Sequence, residues 1–293
     1  MAELLLDVGT ADRPPPRAGS RATAWRVFRR DRLAMVSTVT VLVLVAAALV
    51  SVAWTPYDYA AQDLSIRLDG PTWAHPFGTD DYGRDVLSRL MVGARVSLAV
   101  GILSVALTMV VGVGIGLVAG YVRRLDNVLM RMIDMLLSIP GLFLLLLLVS
   151  LFGRGTWRTV LFIGLTSWMP TSRLIRGEVL SLRERDFVAA SEGFGARSWW
   201  VLRRHLLVNV ADVVLVNATL TISLVILLES GLSYLGLGAQ APLPSWGNML
   251  SSGRDYMRDA WWVTTFPGLA VFVTVLAFNF IGDGLRDAVD VRR

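Results

Sequence analysis

The sequence predicts an all-α integral membrane protein built on six transmembrane helices. Three observations carry that expectation. Hydrophobic residues make up 54% of the 293, and the mean hydropathy is +0.58, well above a soluble domain. Six apolar runs are long enough to cross a bilayer. The 28 basic residues, all arginine, gather in alternate connections between those runs.

Residues 1–32 are polar, with Pro14, Pro15 and Pro16 and a run of arginines, and are expected to form a weakly ordered tail. The first span is 33–54, too long for a signal-peptide core, so it is read as an uncleaved anchor. An insertion follows at 55–92, rich in Gly and Pro. Its acids, Asp58, Asp63, Asp69, Asp80, Asp81 and Asp85, lack the spacing of an oxygen-ligand metal loop and are read as solvated. Thr79, Asp80 or Asp81 is expected to cap a helix with Leu87, Leu90, Met91, Ala94 and Leu98 on one face.

A five-helix core spans 93–282. Its first span, 96–122, repeats glycine every fourth residue at Gly112, Gly116 and Gly120, a stripe that lets another helix backbone approach. The next, 133–152, is expected to kink at Pro140, which has no N–H to give the helix. The fourth span, 159–175, contains Pro170. The fifth, 210–228, has Asp212 near its start and Glu229 at its end, each read as interfacial or held in a structural hydrogen bond and not as a proton carrier. A Gly-, Pro- and Trp-rich loop at 231–262 reads as interfacial or re-entrant, the last span is 263–281, and 283–293 is a tail.

Six spans put both termini on one side. Seven arginines lie in 1–32, three in 123–132, seven in 173–209 and three in 283–293, and eight remain for the opposite side. The arginine bias therefore places both termini in the cytoplasm. Composition also excludes chemistry. With no lysine there is no P-loop or Schiff-base lysine, and with no cysteine there is no thiolate nucleophile or disulfide. Two histidines far apart, His75 and His205, do not make a His-rich metal site.

The connection at 178–209 is polar yet lies between two apolar runs. Its core, 183–209, reads RERDFVAASEGFGARSWWVLRRHLLVN, two short helices of about 186–194 and 196–207 joined at Gly195. Glycine is the residue that takes φ > 0 at such a turn. The first helix carries Ala189, Ala190, Ser191 and Gly193, small enough for a partner surface to come close. The second carries Trp199, Leu202 and Leu206 at helical spacing, with Arg197, Arg203, Arg204 and His205. This is a docking element for another protein; a hairpin on lipid headgroups is the plainer alternative. A helix-turn-helix DNA reader is disfavoured, because the flanking spans would hold it against the bilayer.

The segment resembles the "EAA" loop of bacterial ABC-importer permeases. Ala189-Ala190-Ser191 followed by Glu192-Gly193-Phe194 and Gly195 matches its pattern, with Ala189 in place of the leading glutamate and Val208 in place of a proline near the end. Three further stretches are similar to the dipeptide/oligopeptide/nickel group, in particular its "C" permease. They are GTDDYGRDVLSRLMVGARVSLAVG at 78–101, LLESGLSYLGLGAQAPLPSWGNML at 227–250 and FPGLAVFVTVLAFNFIGDGLRDAVDVRR at 266–293. The resemblance covers about 25–293. It implies a type I importer fold in a bacterial inner membrane, and a permease that is not itself an enzyme. It implies as partners a homologous second permease, two ATPase subunits that bind ATP and Mg, and an extracytoplasmic binding protein that delivers a peptide. Nucleic acid is not among them, and the chain itself carries no cofactor. The residues it marks for ATPase contact are Phe187, Ala189, Ala190, Ser191, Glu192, Gly195, Arg204 and His205. A nickel or metal-chelate importer of the same group is the alternative cargo. An intramembrane enzyme would need a pair of catalytic groups at mid-span depth; Asp134, near a span end, has no such partner in the sequence pattern. A purely structural anchor fits poorly with kinked spans.

Overall fold

The computed structural model describes residues 21–290, which are helical with connecting loops. The chain begins there with α1 (Arg21–Arg30), inside what the sequence suggested was a weakly ordered tail. The correction has a packing cause: Phe28 is buried with Ala34 and Ala288, tying α1 to the last helix. The three prolines at 14–16 lie outside the described residues.

α2 (Arg32–Ala53) follows at once, capped by Asp31, whose carboxylate accepts from Leu33 and Ala34 N–H at 2.8 and 3.2 Å. α3 (Val86–Tyr121) has 36 residues, about 54 Å, longer than the ~30 Å hydrocarbon core. Its cap is Asp85, which accepts from Ser88 N–H at 2.7 Å, and not Thr79, Asp80 or Asp81. Those residues are occupied otherwise. Asp80 accepts from Arg84 Nε at 2.7 Å and lies 3.3 Å from Arg89 Nε, and Asp85 also meets His75 Nδ1 at 2.9 Å. Asp58, Asp63 and Asp69 are exposed as expected, but Asp80 and Asp85 are buried, so this end of the insertion is an ordered, internally paired cap where a solvated loop was expected. Trp262 Nε1 donates to Thr79 O at 3.0 Å, and Phe77 stacks on Phe266 at 4.0 Å, which fasten this cap to the last helix.

The third and fourth expected spans are broken. α4 (Arg123–Leu137) and α5 (Gly141–Phe152) meet at 81°, far beyond a kink. Pro140 denies its own N–H and biases Ile139 away from helical ψ, so the chain leaves the helix there. α6 (Thr156–Thr166) and α7 (Trp168–Arg183) divide at Ser167. Pro170 then falls in the first turn of α7, where its missing N–H has no intrahelical partner to lose. Among the described residues, four helices are long and apolar enough to cross a membrane, and the bent α4–α5 pair is a fifth if counted as one span.

The glycine stripe of α3 meets α7. A Cβ on Gly112 would lie 2.8 Å from Thr171 Cβ, on Gly116 2.7 Å from Ser172 O, and on Gly120 2.6 Å from Val179 Cβ. Close backbone approach is thus what the stripe achieves. Arg173 pairs with Asp134 and Arg176 with Asp126, which hold α4 alongside α7.

The chain continues through α8 (Asp186–Gly193), α9 (Ser198–Val201), a π turn (Leu202–Leu206) and α10 (Leu207–Tyr234). α11 (Trp246–Gly253) tucks its fully buried Trp246 against α3 and α10. α12 (Trp262–Asp290) runs on through most of what was expected to be a tail; residues 291–293 lie outside the described part.

Candidate functional site

The conspicuous segment lies at the end of the molecule where α3 and α7 finish. Arg185 is extended, and α8 starts with Asp186 in its first turn, where a carboxylate favours the helix dipole. α8 ends in a Schellman arrangement. Ala196 N–H reaches Ser191 O at 3.1 Å, and Gly195 N–H reaches Glu192 O at 2.9 Å, with Gly195 at φ +83°. The expected left-handed glycine is therefore where the sequence put it.

The second expected short helix is not separate. Ser198–Tyr234 is one continuous 37-residue helix, interrupted only by the π turn, so the segment feeds straight into a membrane-crossing helix. Leu207 N–H bonds Leu202 O, five residues back, and Asn209 Nδ2 donates to His205 O at 2.7 Å. A π turn of this kind is a frequent mark of functional sites.

Underneath is an apolar base. Val188, Val201, Leu206 and Val210 are buried with Ile175, Val179 and Val113 of α7 and α3. Leu206 packs here as expected from its spacing, but Trp199 does not: it is 70% exposed, and Val201 takes the inward position. The π turn shifts the register between 199 and 206, which a regular 3.6-residue pattern cannot anticipate.

Each marked residue has a definite place. Ala189, Ala190 and Gly195 are exposed and have no large side chain over them, so they form a small, approachable face. Ser191 is half-buried at the Schellman turn, and Arg204 is exposed. Glu192 is exposed but tied: Tyr121 Oη, at the end of α3, donates to its Oε1 at 2.7 Å. Phe187 is exposed on one side and faces His205 at 5.7 Å on the other. His205 also meets the edge of Trp200 at 4.9 Å, and its Nε2 is buried without a hydrogen-bond partner. The structure thus brings Phe187 and His205 together as an internal joint, while Ala189, Ala190 and Arg204 are turned outward.

Sequence reasoning missed two residues. Phe194 is 93% exposed beside Gly195, a large apolar side chain offered to whatever covers the face. Its place before the turn glycine was the available signal. Tyr121 had no local signal, because its partner lies 71 residues along the chain. Between α3 and α8 runs a groove of ≈ 660 Å³ lined by Arg123, Arg183, Glu184 and Glu192 among others. Arg183 also donates to Gly120 O at 3.0 Å, closing the end of α3. Bare aromatic rings, Phe194 and Trp199, with charges of both signs around them suit recognition of a protein surface.

Comparisons with known proteins agree with this architecture. Residues 112–293 match the family described as binding-protein-dependent transport system inner membrane component, and residues 21–71 match the N-terminal transmembrane domain of oligopeptide transport permease C. The glutathione transport system permease protein GsiD of Pectobacterium atrosepticum is 40% identical, covering 91% of this chain and 89% of that protein. The dipeptide transport system permease protein DppC of Alkalihalophilus pseudofirmus is 37% identical, covering 94% and 93%. Among solved structures, the inward-facing MetNI methionine ABC transporter shares the fold, with a TM-score of 0.55 at 20% identity, covering 69% of this chain and 95% of that one.

Proposed function

Because the chain belongs to the family of binding-protein-dependent transport system inner membrane components, we propose that it forms half of the translocation pathway of an ATP-driven importer for dipeptides or short oligopeptides. Support for the cargo comes from relatives named for dipeptide, oligopeptide and glutathione transport. The observation that carries the mechanism is the exposed α8 face, linked through the Gly195 turn to a 37-residue helix and packed against it through Val188, Val201, Leu206 and Val210. A push on α8 is a push on that helix.

In this reading a homologous permease completes the pathway, and an extracytoplasmic binding protein delivers the peptide. Two ATPase subunits bind ATP and Mg and hydrolyse the nucleotide. One of them docks on Ala189, Ala190, Phe194 and Arg204, with Gly195 setting the turn and Phe187, Ser191, Glu192 and His205 holding the face in shape. ATP closes the ATPases, and the closed form favours one of two permease arrangements, outward or inward. Both termini and the α8 segment then lie in the cytoplasm of a bacterium whose inner membrane holds the complex.

The test is uptake of a labelled dipeptide, with nickel in parallel, in cells with and without this chain. Chain-dependent peptide uptake is expected. Chain-dependent nickel uptake with no peptide uptake would overturn the peptide assignment.

A further inference from the structure

Glu229 lies near the far end of α10 from the docking face, and nothing described so far uses it. It is only 1% exposed. A carboxyl in that position is costly unless its oxygens are hydrogen-bonded, and in a membrane-crossing helix it points to function. Both oxygens are satisfied. Ser97 Oγ of α3 donates to Oε2 at 2.9 Å, and Ser233 Oγ, one turn along α10, donates to Oε1 at 2.7 Å.

A hydroxyl has one proton to give, and here each is given to Glu229. The serine lone pairs are left to accept from elsewhere, and what they accept from is the segment after α10. Trp246 N–H donates to Ser97 Oγ at 3.2 Å, and Ala239 N–H donates to Ser233 Oγ at 3.3 Å. Two relays therefore run from the loop backbone, through a serine, to one carboxyl. The loop is pressed flat to make them. A Cβ on Gly247 would lie 2.4 Å from Ser230 O, and one on Gly238 2.0 Å from Ser233 Oγ. The loop is also stiff: Asn248 Nδ2 donates to Ala239 O and Leu243 O at 3.3 and 3.0 Å, and its Oδ1 accepts from Ser245 N–H at 2.9 Å.

We propose that Glu229 is a positioning residue that locks the 235–253 loop to α3 and α10, so that movement begun at the docking face is delivered to this loop and to the hollow it walls. Ser198–Tyr234 is one rod of about 55 Å with the docking face at one end and this lock near the other. Leu243 of the loop forms one wall of a hollow of ≈ 410 Å³, with Arg95, Val100 and Trp157 opposite. A loop fixed to the rod opens or closes that hollow as the rod moves; a loop freed from it does not. The inference rests on the reading of α8 as the ATPase contact.

The chain has no cysteine, so Leu243→Cys gives a single labelling site. In the reconstituted complete importer, its maleimide labelling rate is measured with and without ATP, together with ATP hydrolysis and peptide uptake. With Glu229 in place, ATP is expected to change the rate. In Glu229→Ala the change is expected to vanish while hydrolysis continues. In Glu229→Gln one serine proton loses its acceptor, and the change is expected to shrink about fivefold, the effect of one net hydrogen bond. If Glu229→Ala does not assemble, the Ser97→Ala, Ser233→Ala double variant decides, because it removes both relays and is expected to lose the change. A full ATP-dependent change in an assembled variant lacking both relays overturns the proposal. Uptake by the Leu243→Cys chain with no ATP-dependent change at 243 overturns it alone, whereas no ATP-driven uptake even by the native chain overturns the importer reading beneath it.

Discussion

Gly195 offers the sharpest test of the docking face, because its replacement acts through backbone conformation alone. It sits at φ +83°, and a Cβ built there meets nothing within 4 Å. Gly195→Ala therefore adds no clash, only the strain of a left-handed non-glycine residue, about 1–2 kcal/mol. That lowers the population of the Schellman turn about 5–30-fold. Gly195→Val lies at the upper end or beyond, since β-branched side chains resist φ > 0 most. Gly195→Asn is the tolerated replacement, because asparagine visits this region readily. Gly193→Ala is the control: it lies inside α8, has open space at its Cβ, and gains helix propensity. The assay is initial rate of ATP-driven peptide uptake in membranes with matched amounts of chain. The expected order is native, Gly193→Ala, Gly195→Asn, Gly195→Ala, then Gly195→Val. Native-like uptake by Gly195→Val would show that the turn is not needed for docking.

Three further outcomes follow from geometry. Gly116→Val forces a Cβ to within 2.7 Å of Ser172 O and is expected to cost about 1–3 kcal/mol, read as a lower thermal midpoint in detergent, while Gly114→Val, with open space at its Cβ, leaves the midpoint unchanged. Tyr121→Phe removes the donor to Glu192 and is expected to cost about 0.5–1.5 kcal/mol in placing α8, seen as weaker retention of ATPase subunits on purification. Asp81 is held above the usual carboxylate range, first by burial and then by the neighbouring Asp80 charge, and its Oδ1 has no hydrogen-bond partner. A raised carboxylate pKa means that the folded state binds the proton more tightly, so this group's contribution to stability falls as pH rises through the interval above 3.8. Asp81→Asn is expected to match the native midpoint at low pH and exceed it at neutral pH; equal midpoints at neutral pH would contradict the burial argument.

Much of the architecture was legible because it rests on local chemistry. Apolar run length gave the long helices but not the breaks in the third and fourth expected spans, the every-fourth-residue glycines gave the close approach on α3, and Gly195 gave the turn. What was not legible depended on partners far along the chain. Asp80 and Asp85 look like loop acids until Arg89 and His75 are seen folded onto them. The break at Ser167 follows from Pro170, but the sequence did not say whether that proline would kink a helix or begin one. The π turn moved Trp199 outward against a regular helical pattern. Tyr121 and the Glu229 relays join residues 71 and 132 positions apart, beyond any spacing rule.

The central claim is that the α8 face is where an ATPase subunit docks. Ala190→Cys, in a chain without other cysteines, places a thiol at the middle of that face, and Ala61→Cys places one in the insertion at the opposite end. The most direct measurement is crosslinking from each thiol, in membranes containing the whole importer, with a short bifunctional reagent. The account predicts an adduct between Ala190→Cys and an ATPase subunit, and none from Ala61→Cys. No adduct from position 190, or an equal one from position 61, would contradict it.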